Sequence, residues 1–311
     1  MINCAIIGCG QIAGGYDEPE SDKVRTHAKA FQRHPGCRLV GVCDSSLETA
    51  NRFSRTWDVP FATTDSSELL QQCKPDLLSI CAPTEVHEEI FEIACKQNVA
   101  RIWLEKPAAD SSAAIARMIN LSKQYQVDVW VNYFRRYDAG FQKIKQRIAG
   151  LGRIQHVSAF YTKGLRHNGS HMLDLLHWLF GPVLSVDAVE LMADPEYPAM
   201  SGVLQTKMAR IHLTALDYHH FELFELDIIG ANGRIMVKDG GQQILFENLT
   251  DSKYYPGYRN LSLTELHDSS YSTFMQAGLE QGLNGAAMPG LEEEMAIQVV
   301  LSKCSLIDAE I

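Results

Sequence analysis

The 311-residue chain has no CxxC pair, no basic run and no apolar stretch approaching the length needed to cross a bilayer. Each absence excludes something. The eight cysteines (Cys4, Cys9, Cys37, Cys43, Cys73, Cys81, Cys95 and Cys304) stand singly, mostly inside apolar runs, and read as buried reduced thiols. Without paired ligands, no metal site is expected. A net charge of −10 with no basic run disfavours nucleic acid. The opening MINCAIIGCG lacks the charged n-region and cleavage site of a signal peptide. The expected location is therefore cytoplasmic, with no membrane contact. What remains is a globular chain long enough for two domains.

The first half alternates two patterns. Apolar, β-branched runs at 2–7 (INCAII), 38–43 (RLVGVC), 76–81 (DLLSIC), 101–104 and 127–132 (VDVWVN) read as strands. Amphipathic segments at 27–34, 46–56, 66–73, 85–97 and 111–125 read as helices between them. Strands spaced by helices in this way form βαβ units and a parallel sheet covered on both faces.

The first strand runs directly into Gly8-Cys9-Gly10-Gln11-Ile12-Ala13, a GxGxxA form of the dinucleotide fingerprint. Gly8 permits the tight turn, Gly10 lets backbone N–H groups approach a pyrophosphate, and Ala13 permits close packing. The acid expected after the second strand is Asp44. It follows Ala13 by 31 residues rather than about 20, because GGYDEPESDKV reads as an inserted polar loop before a helix beginning near Thr26. An acid there binds the ribose hydroxyls and repels a 2′-phosphate, favouring NAD over NADP; the competing role for Asp44 is a helix cap. The inserted loop, with Tyr16 and Asp17, either gates the site or is an ordinary surface loop.

Six segments in order, GCGQIA, HAKAFQRHPGCRLVGVCD, DLLSICAPTEVH, LEKP, NYFRRY and GSHMLDLLHWLFG, resemble the glucose–fructose oxidoreductase/inositol dehydrogenase (Gfo/Idh/MocA) family over nearly the whole chain. The resemblance implies that Glu105-Lys106-Pro107 lies beside the nicotinamide, with Lys106 moving the substrate's hydroxyl proton. Pro107 would fix the backbone, with a cis bond open to it. It implies that Pro83 and Thr84 touch the dinucleotide and that His87 packs beneath it. A lysine in a partly apolar pocket has a lowered pKa, which suits proton transfer.

From about Arg153 the pattern changes to strand-like runs at 153–163, 184–192, 203–216, 221–229, 233–238 and 242–247, with helices at 138–149, 170–180, about 273–283 and 291–309. The expected fold is α/β: an N-terminal Rossmann dinucleotide-binding domain (1–135) plus a C-terminal α+β domain with an open, largely antiparallel sheet (136–311). The resemblance implies a homo-oligomer paired through that sheet. In HNGSHMLDLLHWLFG, His171 matches the histidine of the family's DxGxH pattern, but the aspartate position is His167. Lys106 with two histidines and no acid makes a more positive pocket, to which Arg135, Arg136 and Arg166 add. The expected substrate is thus sugar-like and anionic, a sugar nucleotide or sugar acid. Arg135-Arg136 also fits a solvated charge pair, and Asp174, on the His171 face, a buried acceptor. His219-His220 lacks a third metal ligand.

The expected protein is an NAD(P)-dependent oxidoreductase acting on CH–OH, with Lys106 as acid/base and His171 and His167 assisting. Two alternatives share these residues: a redox-neutral sugar-processing enzyme with tightly bound NAD, and a non-catalytic dinucleotide sensor.

Overall fold

Short apolar strands buried on both faces are what a helix-covered parallel sheet requires. Two of the first-half strands meet that condition in the computed structural model, which describes residues 1–192, 194, 196–269 and 272–307. β4 (Leu77–Ile80) is buried at every position and β5 (Arg101–Leu104) at all but its first. With β1 (Ile2–Ile7), β2 (Cys37–Cys43), β3 (Ala62–Thr63) and β6 (Asp128–Val131) they form one parallel sheet of order β3-β2-β1-β4-β5-β6. The order reverses between β1 and β4, and ligand crevices form outside strand C-termini at such a point. The two-residue β3 falls outside the expected strands because it is too short to show a period.

Side chains start the connecting helices. Thr26, Ser46, Asp65 and Ser111 accept backbone N–H bonds at the N-termini of α1 (His27–Arg33), α2 (Leu47–Trp57), α3 (Ser66–Cys73) and α5 (Ser112–Tyr125). α4 (His87–Lys96) follows a 3₁₀ turn at Thr84–Val86. The chain divides into two compact units, residues 1–137 with 271–295, and residues 138–270 with 296–311. The first unit thus regains α8 (Phe274–Leu283), which lies so close to Tyr137 that a Cβ on Gly278 would come within 2.4 Å of that ring. Trp103, Trp130, Phe31, Met275 and Leu279 share this unit's core.

The second unit holds α6 (Ala139–Arg147), β7 (Ile154–Tyr161), α7 (Ser170–Phe180), β8 (Ser185–Met192), β9 (Ala199–Gln205), β10 (Arg210–Ala215), β11 (Phe224–Gly230), β12 (Gly233–Lys238), β13 (Gln243–Asp251) and β14 (Arg259–Asp268). The last helix, α9 (Leu291–Ile307), runs through the boundary at residue 295. The sheet order is β14-β13-β12-β11-β7-β10-β9-β8, and β7–β10 is its parallel pair. Burial alternates along β11, as expected of a sheet with one covered face.

Two expectations need correction. The run 203–216 is two antiparallel strands, because Thr206 accepts the N–H groups of Met208 and Ala209 and reverses the chain. The outermost strand, β14, and the end of β13 were not expected. β14 is mostly exposed, so burial imposes no clean apolar alternation on it.

Candidate active site

The glycine turn is shaped by its neighbours. Gly8 has φ +92°, and a Cβ there would lie 2.4 Å from the Ala82 backbone nitrogen, so only glycine lets the ends of β1 and β4 meet. Nothing lies within 4 Å of a Cβ placed on Gly10, which leaves open space against its backbone. Ala13 is fully buried, and the small residue that close packing demands is also Gly14, whose Cβ would strike Trp57 and Phe53 of α2. Gln11 and Ile12 begin a single π-helical turn, Gln11–Gly15, after which the inserted loop intervenes before α1.

That loop is pinned. Buried Asp17 accepts from the Arg25 backbone N–H (2.7 Å), the Arg25 guanidinium (3.0 Å) and the Thr26 hydroxyl (2.9 Å). The buried Lys29 ammonium donates to the Pro19 carbonyl and Gln32, and burial lowers its pKa. Tyr16 remains 54% exposed.

Asp44 sits at the C-terminal end of β2. Its carboxylate accepts the Cys9 N–H inside the glycine motif and the Ser46 N–H, each at 2.9 Å. The helix cap is Ser46 rather than Asp44. Each Asp44 oxygen keeps a further acceptor site for a ribose hydroxyl.

The loops after β4 and β5 are joined by His87. The ring is 1% exposed; Nε2 faces the Ala82 carbonyl (2.8 Å), and Nδ1 faces those of Pro107 (3.1 Å) and Ala108 (3.3 Å). His87 therefore acts on backbone, fixing the Pro83-Thr84 turn to the Glu105-Lys106-Pro107 loop. The Lys106–Pro107 bond is cis.

Glu105 points inward. Its Oε1 accepts from His27 Nε2 (2.9 Å) and Asn132 Nδ2 (2.6 Å), and its Oε2 from the Lys106 backbone N–H (3.3 Å). The Ser79 hydroxyl meets the other His27 nitrogen at 2.9 Å. Burial pushes the Glu105 pKa up, but His27, Asn132 and the Lys106 charge outweigh it and hold it below the usual carboxylate range. An ionised carboxylate thus underlies Lys106, itself half-buried. Sequence reasoning missed His27, Ser79 and Asn132 because they act through contacts across the fold. The available signal was a histidine opening a helix whose face is otherwise apolar.

Arg135 and Arg136, in the turn after β6, are 6% and 7% exposed, so they are not a solvated pair; the Arg135 guanidinium lies 4.9 Å from the Phe134 ring centre. In the second unit, Arg166 and His167 are exposed on the turn Gly164–Gly169, whereas His171 and Asp174 are 5% and 2% exposed in α7. His219 pairs with Asp194 at 2.9 Å. Among the described residues no group of three or more metal-ligating side chains gathers, and no helix is long and apolar enough to cross a membrane.

The residues present fit a dinucleotide. The glycine cradle is open at Gly10, Asp44 stands beside it, and the loops after β4 and β5 border the same strand ends. A parallel sheet of this order with such a turn defines the class: a Rossmann dinucleotide-binding unit followed by a sheet-based second unit. Residues 2–133 match the oxidoreductase family with the NAD-binding Rossmann fold (GFO_IDH_MocA). It is 26% identical over 210 residues to D-glucoside 3-dehydrogenase of Escherichia coli, covering 60% of this chain and 57% of that one. It is 24% identical over 242 residues to inositol 2-dehydrogenase 2 of Saccharopolyspora erythraea, covering 73% and 66%. The matches thus span between about half and two thirds of these relatives. An Agrobacterium radiobacter oxidoreductase solved with NAD+, L-tartaric acid and magnesium has the same fold, with a TM-score of 0.76, 15% identity, and 97% of this chain and 94% of that one covered.

Proposed function

We propose that the protein is an NAD(P)-dependent dehydrogenase or reductase acting on a CH–OH group of a sugar-like, anionic substrate, with NAD preferred to NADP. One observation carries the reading. The open glycine turn, Asp44 and the Glu105-Lys106-Pro107 loop meet at the C-terminal ends of one parallel sheet. When bound, the nicotinamide supplies the hydride acceptor or donor.

The chain supplies position and proton handling. Asp44 receives the ribose hydroxyls, and its charge opposes a 2′-phosphate. Pro83 and Thr84 border the cofactor, and His87 keeps their turn against the Pro107 loop. Lys106 takes the hydroxyl proton as the C–H bond breaks, or returns it in the reverse direction. Glu105, ionised beneath it, favours the charged lysine once that proton has arrived. His171 holds the substrate hydroxyl, and His167, at the position where the DxGxH pattern of the resembled family has its aspartate, contributes a neutral or positive ring. The buried Arg135 and Arg136, with Arg166, suit an anionic substrate, and Asp174 supports His171. The exposed leucines of β14 (Leu261, Leu263 and Leu266) support self-association through the second sheet.

The test begins with NADH and NADPH titrations followed by nicotinamide fluorescence. Tighter NADH binding is expected; a folded, cofactor-free protein that binds neither ends the proposal. Sugar acids should then outcompete neutral sugars in turnover, and Lys106→Ala should lower kcat by about 10²–10⁴-fold without loss of NADH binding.

A further inference from the structure

Two tyrosines of the second unit form a corner. Tyr197, just before β9, and Tyr218, just after β10, have ring centroids 4.8 Å apart and planes at 67°. The His167 ring lies 6.2 Å from Tyr197, and the Lys163 ammonium lies 5.3 Å from the Tyr218 ring centre. The tyrosines border an open surface groove of about 430 Å³ that Glu196, Phe221 and Glu222 also line. That volume lies within the ~300–1,000 Å³ of small-molecule sites.

The corner is held from several directions. Asp194 Oδ1 accepts the N–H groups of Glu196 (2.8 Å) and Tyr197 (2.7 Å), while Oδ2 accepts from His219 Nε2 at 2.9 Å. The segment carrying Tyr197 is thereby tied to the segment carrying Tyr218. The Leu165 N–H donates to the Pro198 carbonyl at 2.9 Å. At Gly164, where φ is +70°, a Cβ would come within 3.1 Å of Tyr197 Cα. The turn that carries His167 therefore also seats Tyr197.

We propose that this corner is a subsite for a second, uncharged pyranose ring. The substrate is then a glycoside or oligosaccharide, with its reacting ring at His171 and His167 and its neighbouring ring on Tyr197 and Tyr218. The proposal rests on the sugar-like substrate proposed above. A pyranose presents an apolar C–H face and a rim of hydroxyls. Tyrosine faces attract the first, with the exposed Phe221 ring (52%) adding apolar surface. Glu196 and Glu222 accept hydrogen bonds from the second.

Charge disfavours the other ligand class at this corner. Asp194, Glu196, Asp217 and Glu222 border the corner, against Lys163 and His219, with His220 paired to Asp217. A diphosphate finds net repulsion there. Any negative group belongs on the reacting ring, so a sugar acid is favoured over a sugar nucleotide.

Calorimetry on the NAD+-loaded protein tests this with three probes: D-glucuronate, glucuronic-acid disaccharides of α and β linkage, and UDP-glucose. At least one disaccharide should bind about tenfold more tightly than D-glucuronate. Tyr218→Ala should abolish that advantage and leave the D-glucuronate and NADH affinities unchanged, whereas Tyr218→Phe should retain it. If Tyr218→Ala does not fold, Phe221→Ala should reduce the same advantage. Equal binding of one and two rings, an advantage that survives these substitutions, tightest binding of UDP-glucose, or no sugar binding by protein that binds NADH would each overturn the subsite. The last leaves the oxidoreductase reading standing, which only loss of dinucleotide binding or of turnover removes.

Discussion

Two histidine–carboxylate pairs, one in each unit, share a 2.9 Å contact and little else. In His27–Glu105 the side chains are 0% and 11% exposed; in His219–Asp194 they are 57% and 16% exposed. The first pair joins a helix to a strand end, and Asn132 adds a further bond to its carboxylate. The second joins two loop segments, and its carboxylate is held chiefly by the Tyr197 and Glu196 N–H groups, which lower its pKa. Water screens the second pair and not the first. The same chemistry therefore supports fold stability in one unit and local loop geometry in the other.

The largest expected break is at the buried pair. His27→Ala leaves the Glu105 charge without its main partner and should cost about 3–5 kcal/mol in urea unfolding. The double variant His27→Leu/Glu105→Leu should cost less, since it also removes the buried charge. A single variant no less stable than the double would show that the pair's burial does not set its worth.

The pH response sharpens the same contrast. Glu105 is depressed, so its contribution is present above the ordinary carboxylate range and is lost as pH falls through its lower folded value. Glu105→Gln should flatten the acid limb of the stability curve. His219 is raised by Asp194, so its pairing holds below the ordinary histidine range and is lost as pH rises through the higher folded value. Depressed Asp194 ends the pairing at the acid side.

Smaller effects separate structure from function within the glycine turn. Gly10→Ala meets open space and should leave stability within about 0.5 kcal/mol, yet weaken NADH binding at least about tenfold, because the added methyl occupies the cradle. Unchanged NADH affinity in that variant would place the pyrophosphate elsewhere. The smallest expected change belongs to His219→Ala. Its melting temperature should match the wild type, while amide exchange at Glu196 and Tyr197 quickens; a large loss of melting temperature would contradict the comparison.

Legibility in the sequence followed burial. β4 is buried throughout and β5 at all but its first residue, and both were readable as apolar runs, whereas β14, exposed on most of its length, carried no such record. The helix start at Thr26 was readable because its side chain caps locally. Asp44 was readable as the acid closing the second strand. Its bond to Cys9 was not, because it spans 35 residues. Arg135 and Arg136 left both a binding role and a solvated pair open, and their burial settles only the second.

The chain's order of strands and helices, the glycine turn and the acid at the end of β2 were set by residues near one another, since turn geometry, capping and periodicity act over a few positions. The His27–Glu105–Asn132 cluster, the His87–Pro107 clamp and the Tyr197–Tyr218 corner join residues well separated in the chain. Tertiary structure alone decided these, because hydrogen bonds and ring contacts depend on distance in space, which local pattern does not encode.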